Sequence, residues 1–215
     1  DCIFIHSGLP NSKGNYVGAD AVFKSDNVDH VNLLNEGKNY FDRDYSRTSM
    51  LEHTGFFRGN NAEELIKAHK LRTKLNEKRF TQFEFNDETA DVGTAKAETV
   101  TYKWSNRAQK KATFTYDKEK GKYVTTDFDS QFGTSNVEFE NLILLFDTTE
   151  YIVKEKYKGN QSETYCNYLL EGGKGAVASN GTYTEIKWSV KNGKIVMKTA
   201  DGNTVKLNAG KSYIA

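Results

Sequence analysis

The stretch that decides the fold runs from residue 183 to residue 207 and reads YTEIKWSVKNGKIVMKTADGNTVKL. Its first part alternates polar and apolar residues through Ile186 and Trp188, which is the period of a strand with one buried face. Two dipeptides that accept positive φ, Asn192-Gly193 and Asp201-Gly202, divide the stretch, and Asn-Gly is the strongest short hairpin signal. The stretch therefore predicts an antiparallel meander of three strands, followed by a fourth short strand.

The same period of two extends upstream to about residue 98. Phe114 and Tyr116 alternate with threonines, and the polar residues 117–121 then predict a hairpin loop. The apolar run at residues 142–146 is short enough for a strand that is buried on both faces. Aromatic residues make up 13% of the chain, so the core has few but large side chains, which favours sheets over helix bundles.

The N-terminal part is less regular. Residues 2–6 predict a strand, and residues 41–57 predict an irregular loop with a short helix at most. The clearest helix is predicted over residues 61–75, because Asn61 is a suitable N-cap and Glu64 stands at the capping-box position. The fold class expected from the whole chain is α+β, layered and rich in antiparallel sheets.

Composition also changes along the chain. Residues 86–97 are acidic, small and poor in strand formers, which indicates a boundary between two subdomains. We therefore expect an α+β subdomain over residues 1–90 and a β-rich subdomain over residues 91–215.

The balance of charge and the reactive side chains exclude several classes of protein. The 30 basic and 29 acidic residues leave a net charge of +1, whereas a duplex-binding protein carries a marked basic excess. The four histidines and two cysteines show no metal-ligand spacing, so we predict no metal and no cofactor. Cys2 and Cys166 are expected to be two free, buried thiols, with one disulfide as the alternative.

Two segments carry a resemblance to a known family. Residues 41–47 read FDRDYSR and are followed by His53, and the C-terminal part contains Trp188-Ser189, Asp201-Gly202 and Gly210-Lys211. In this order these segments resemble the YerB-like lipoproteins of bacteria. Tyr213 stands where the family pattern leads us to expect tryptophan.

The resemblance implies a layered α+β fold and a lipid anchor on the outer face of a bacterial membrane. It also implies that the N-terminal part of the family's first domain, and the cysteine that carries the lipid, are missing before Asp1. It implies no reaction, because the family has no known function.

The candidate site consists of Arg43, Arg47 and His53, with Arg58 nearby. Guanidinium groups bind carboxylates and phosphates through two parallel hydrogen bonds, so a loop that holds several of them is suited to an anion. The alternative is internal: Asp42 or Asp44 pairs with these arginines and only fixes the loop.

The function expected from the sequence is a non-catalytic binding or scaffolding module at the cell envelope, with an anionic ligand or an envelope protein as partner. The alternative is an enzyme that acts on a cell-wall or phosphate-bearing substrate through the same loop. Other catalytic patterns are incomplete: His6-Ser7 lacks a nucleophile elbow, and the glycine-rich residues 172–175 lack the rest of a phosphate loop, so they predict a glycine hairpin.

Overall fold

The computed structural model describes residues 3–8, 19–74, 83–103, 111–126, 137–154 and 162–215. The chain divides into two compact units, Asp1–Phe80 (unit 1) and Thr81–Ala215 (unit 2), whereas the sequence placed the boundary after residue 90. In the described ranges, no helix has both the length and the apolar character that a bilayer crossing requires.

Unit 1 combines short strands with short helices. Its strands are β1 (Phe4–His6), β2 (His30–Asn32), β3 (Phe41–Arg43) and β4 (Gly55–Phe57). Its α-helices are α1 (Ala19–Ser25) and α2 (Ala62–Ala68), and three single turns of 3-10 helix lie at Leu33–Asn35, Leu51–His53 and Gly59–Asn61. β1 pairs with β2 in parallel, and β3 pairs with β4 in an antiparallel hairpin.

The hairpin of β3 and β4 corrects the prediction of an irregular loop over residues 41–57. Phe41 lies opposite Phe57, and both pack against the small core that Val31, Leu33 and Leu65 form. Burial of these two aromatic rings holds the ends of the segment together, although the polar residues between them hide the strand pattern.

The helix predicted over residues 61–75 is shorter than expected. It ends at Ala68, and Lys70 adopts a φ of 53°, which a continuing α-helix does not allow. Asn61 makes no capping hydrogen bond; its side-chain amide instead donates to Asn39 O at 2.5 Å. A tertiary contact has thus replaced the predicted capping box.

In its described residues, unit 2 is built from strands and the segments that connect them. They are β5 (Glu84–Phe85), β6 (Ala95–Lys96), β7 (Thr99–Tyr102), β8 (Ala112–Asp117), β9 (Lys122–Thr125), β10 (Val137–Phe139), β11 (Asn141–Leu145), β12 (Thr149–Lys154), β13 (Glu163–Tyr168), β14 (Gly173–Ser179), β15 (Thr182–Lys191), β16 (Lys194–Lys198), β17 (Lys206–Leu207) and β18 (Ser212–Ile214). The α+β, sheet-rich fold class is confirmed.

Two sheets form the layers of unit 2. A six-stranded sheet has the order β16-β15-β14-β11-β18, with β6 also paired to β15, and a four-stranded sheet has the order β10-β9-β8-β7. Phe114 and Tyr123 of the smaller sheet pack on Leu142 and Ala178 of the larger one. The opposite face of the larger sheet carries a second core cluster, which consists of Ile143, Val177, Ile186, Trp188, Met197, Val205 and Leu207.

β11 confirms the strand that was predicted to be buried on both faces. Leu142 belongs to the core between the sheets and is 1% exposed, while Ile143 belongs to the core on the other face and is 0% exposed. The strand that precedes it, β10, belongs to the smaller sheet.

The predicted meander is right in its first hairpin and wrong in its third strand. β15 and β16 pair around Asn192 and Gly193, which adopt φ values of 51° and 72°. The chain turns again at Gly202 and makes one bridge, Lys198 to Thr204, but β17 then leaves β16 and pairs in parallel with β5. Leu207 is thereby buried completely in the core beside Phe83.

The glycine hairpin predicted at residues 172–175 is also wrong. Residues from Gly173 onward belong to β14, and the hairpin lies downstream at Asn180-Gly181, with φ values of 50° and 70°. A Cβ on Gly175 would lie 2.4 Å from Leu144 O, so the glycine allows two backbones to approach closely.

Three polar side chains occupy the interior of unit 2 and satisfy one another. Asn141 donates to Asn208 O at 2.8 Å and accepts from Asn208 N at 3.0 Å. The Ser179 hydroxyl donates to the side-chain oxygen of Asn141 at 2.9 Å, and the side-chain amide of Asn208 donates to Ala90 O at 2.8 Å. This network joins β11, β14 and the segment after β17.

Cys166 lies on β13 of a two-stranded ribbon that it forms with β12. It is a free thiol, but it is exposed, which corrects the prediction of a buried one. Tyr151, directly opposite, and Tyr168 are exposed on the same face. Cys2 lies outside the described residues.

The buried phenol of Tyr123 should make the stability of unit 2 decrease at alkaline pH. Its ring is 0% exposed, and its hydroxyl donates to Ala97 O at 2.9 Å, so burial raises the pKa of the phenol above its usual value near 10. The folded state then holds this proton more tightly than the unfolded state. We therefore expect the free energy of unfolding to fall above pH 10 by about 1.4 kcal/mol per pH unit from this group. Urea titrations at pH 9, 10 and 11 test this, and Tyr123→Phe should flatten the slope.

Candidate functional site

The structure places Arg43 at the end of β3 and uses its side chain internally. The guanidinium donates to Leu51 O and, at 3.0 Å, to the hydroxyl of Thr54, which is 0% exposed. It also lies 5.4 Å from the centre of the Phe41 ring. Arg43 therefore fixes the end of β3 to the connecting segment that leads into β4.

The other members of the predicted site lie at the surface. Arg47 and His53 are both exposed. Arg58 pairs with Asp42 at 2.6 Å, and Asp44 accepts from the backbone and hydroxyl of Ser46, which lowers the pKa of that carboxyl. Of the two carboxylates weighed as internal acceptors, Asp42 serves Arg58, and Arg43 uses a backbone carbonyl and a hydroxyl instead.

A second group of cationic side chains lies in unit 2, on the face of the larger sheet opposite the core cluster that contains Trp188. Lys174 of β14 lies directly opposite Lys187 of β15, which lies directly opposite Lys198 of β16. Directly paired residues share a face, with Cα atoms about 4.5–5.5 Å apart. We call these three exposed side chains the lysine row.

The lysine row lies on a part of the sheet that the smaller sheet does not cover. The face continues with Ser189 opposite Val196 and with Lys191 opposite Lys194, so five lysines occupy it. A shallow groove of about 250 Å³ lies among Lys187, Ser189, Lys191, Val196 and Lys198 and the turn that contains Gly202. Lys198 donates to Gly202 O at 3.0 Å, which directs its ammonium to the rim of this groove.

Electrostatics make the lysine row unfavourable for the isolated chain. Like charges directly opposite each other destabilise a sheet, by roughly 0.2–1 kcal/mol for a pair. Within the described part of the chain, neither Lys174 nor Lys187 forms an ion pair. An anion held between these ammonium groups would replace repulsion by attraction.

Protection of a sheet edge explains only part of the lysine row. Lysines on edge strands prevent pairing with another chain, and β16 is an edge strand. However, β14 and β15 are inner strands whose hydrogen-bonding edges are already paired. Lys174 and Lys187 therefore have no role in edge protection.

Comparison with known proteins identifies a family whose match falls within unit 2. Residues 91–214 match the C-terminal domain family described as protein of unknown function (DUF3048). The chain belongs to this family. Among solved structures it is similar to the YerB protein from Bacillus subtilis, with a TM-score of 0.66 and 21% sequence identity over 99% of this chain and 66% of that chain. A comparison with curated proteins finds no match.

These findings confirm the YerB-like assignment. At 21% identity the structural likeness establishes the fold and nothing further, and the chain spans just under two thirds of the YerB chain. Tyr213, where the family pattern suggested tryptophan, packs against Phe114 and Phe139 and hydrogen-bonds Tyr102 through its hydroxyl.

The lysine row of this DUF3048 domain was missed in the sequence, although a signal was present. Two-residue turns at Asn180-Gly181 and Asn192-Gly193 fix the register of β14, β15 and β16. Counting equal steps outward from each turn brings Lys187 opposite both Lys174 and Lys198. Only the second of the two turns was recognised, so one neighbour of Lys187 was not placed.

Metal chemistry has no support in the described residues. No group of three histidine, cysteine, aspartate or glutamate side chains comes together there in a way that would hold a metal ion. His6 instead uses one ring nitrogen to bond Gly8 O at 2.7 Å and the other to bond the His30 ring at 3.1 Å.

Proposed function

We propose that this chain is a non-catalytic binding module of the bacterial cell envelope and that the lysine row holds its anionic ligand. The observation that carries the proposal is the alignment of three exposed lysines on adjacent strands of one hydrogen-bonded sheet. Sites built on strands hold their geometry better than sites on loops, because the ladder fixes the spacing.

The groove beside the lysine row adds to this argument. Ser189 supplies a hydroxyl between Lys187 and Lys191, so a phosphate or carboxylate in the groove would meet hydrogen-bond donors as well as charge. The chain as a whole is nearly neutral, with a net charge of +1, so the attraction is local to this face. This favours a small or locally anionic ligand over a long nucleic acid.

The placement at the cell envelope rests on the family resemblance alone. A YerB-like lipoprotein is expected outside the cytoplasm, held at the membrane by a lipid. Fractionation of cells that produce the protein tests the localisation: we expect it in the membrane fraction, and recovery with the cytoplasmic proteins would contradict the placement.

The enzyme alternative through Arg43, Arg47 and His53 has weaker support. Arg43 already donates to Leu51 O and Thr54, so a substrate would have to displace these contacts. Arg43, Arg47 and His53 remain a predicted second anion site. The binding experiment that tests the lysine row also tests these three residues.

Thermal stabilisation by inorganic tripolyphosphate tests the proposed function. A ligand that binds only the folded state at 100 times its Kd raises the free energy of unfolding by about 2.7 kcal/mol. We expect this increase for wild type and its loss in the variant Lys174→Gln/Lys187→Gln/Lys198→Gln.

A matched control distinguishes loss of the site from loss of net charge. The variant Lys118→Gln/Lys206→Gln/Lys211→Gln loses the same three charges at exposed positions of unit 2 away from the row, and should respond like wild type. Equal responses of the row variant and the control would contradict the proposal. Loss of the response only in Arg43→Ala/Arg47→Ala would move the site to the β3–β4 hairpin.

A further inference from the structure

A cleft lies next to the lysine row on the same face of the six-stranded sheet. It opens where β7 of the smaller sheet lies over β11, β14 and β15, and it has a volume of about 250 Å³. Its walls are mainly apolar and include Val100, Leu142, Leu144, Ala176, Ala178 and Tyr183. The small side chains of the two alanines leave this space between the layers.

The register connects the cleft to the lysine row. Ala176 lies opposite Leu144 on one side and Glu185 on the other, and it is two residues from Lys174 on β14. Two residues along a strand span about 7 Å and return to the same face. The apolar floor of the cleft and the cationic row are therefore consecutive steps on one continuous surface.

We infer that the ligand of the proposed function is an amphiphilic anion, with an alkyl chain in the cleft and a phosphate monoester on the lysine row. This inference rests on the proposed anion site and adds the class of ligand. An engineered cavity of about 150 Å³ takes up benzene, and drug-sized ligands need about 300–1,000 Å³. A cleft of about 250 Å³ therefore suits a short length of alkyl chain.

Charges on the cleft decide the direction of the ligand. Glu185 lies opposite Ala176 and repels an anionic group placed over that step, so the head group is driven past it to Lys174, Lys187 and Lys198. Lys96 lines the cleft near Tyr183, at the end away from the lysine row, and is the rival position for the head group. The three aligned lysines outweigh this single one.

Calorimetric titration with two phosphate monoesters tests the inference. Ethyl phosphate and decyl phosphate share a head group, and decyl phosphate is used below its critical micelle concentration. We expect decyl phosphate to bind at least tenfold more tightly, because several methylene groups leave water. Decyl maltoside, which has the chain without the charge, should bind at least tenfold more weakly than decyl phosphate.

Variants assign each part of the ligand to its part of the surface. Ala176→Leu fills the cleft. It should lower the affinity for decyl phosphate to that for ethyl phosphate and leave the stabilisation by tripolyphosphate unchanged. Val100→Trp, at an inward-facing position of β7, fills the same cleft from the other sheet and serves if Ala176→Leu does not fold. The lysine-row variant should lose both phosphate esters.

The outcomes separate this inference from the proposed function. Equal affinity for the two esters, or equal affinity for decyl maltoside, overturns the amphiphile and leaves the anion site intact. If Lys96→Gln loses binding of decyl phosphate and the lysine-row variant keeps it, the proposed direction of binding is overturned. If the lysine-row variant still binds tripolyphosphate and both esters as wild type does, the proposed function itself is overturned.

Discussion

Replacement of Asn141 by alanine is expected to lower the free energy of unfolding of unit 2 by about 3–5 kcal/mol. The side chain is 0% exposed and makes hydrogen bonds with the backbone N–H and C=O of residue 208 and with the hydroxyl of Ser179. Alanine removes these partners at once. Each buried polar group left without one costs about 1–3 kcal/mol, and water has no direct access.

Tryptophan fluorescence during urea unfolding measures this effect where it occurs. Both tryptophans, Trp104 and Trp188, belong to unit 2. Asn203→Ala is the matched control, because the same substitution at an exposed residue removes no buried partner. A shift of the urea midpoint as small as that of the control would show that the network contributes little to folding.

Replacement of Gly175 by alanine is expected to cost about 2–3 kcal/mol, the upper part of the range for overpacking. The added Cβ would lie 2.4 Å from Leu144 O and 3.1 Å from Cγ1 of Ile186. The first of these is a backbone atom of a paired strand, so relief requires β14 and β11 to separate. This separation would also deform the floor of the cleft.

Gly193→Ala provides the comparison for this substitution. Gly193 has a φ of 72° and nothing within 4 Å of an added Cβ, so only backbone strain of about 1–2 kcal/mol applies. The same urea titration compares the two variants. A smaller loss in Gly175→Ala than in Gly193→Ala would contradict the close approach of the two backbones.

Local signals in the sequence were sufficient for part of the fold. Asn192-Gly193 specifies its hairpin because both residues accept positive φ within a two-residue loop. The run at residues 142–146 specified a doubly buried strand because its apolar residues do not alternate with polar ones. Both features depend on neighbours in sequence only.

Features that depend on distant partners were missed. β17 pairs with β5, which lies more than a hundred residues upstream, and no local pattern distinguishes this partner from β16. Helix α2 ends early because the chain adopts positive φ at Lys70, against a helical pattern that continues in the sequence. The glycines of β14 were assigned to a turn because their actual reason, a close approach to β11, is a tertiary contact.

The candidate site shows the same division. Clustering of arginines within a few residues drew attention to Arg43, but the structure gives its guanidinium internal acceptors. The lysine row unites residues that are 24 positions apart at its two ends, and only strand register brings them together. A site on a sheet is therefore predicted from the turns that set register, rather than from local clusters of charge.

Amide chemical shifts during titration with tripolyphosphate test the central claim most directly. Labelled wild-type protein would be followed by two-dimensional nitrogen–proton spectra at constant pH and ionic strength. We predict that the largest shifts occur at Lys174, Lys187, Ser189 and Lys198, and saturate with a single Kd. Shifts that instead concentrate between residues 43 and 58, or that spread evenly over exposed lysines without saturation, would contradict an anion site on the lysine row.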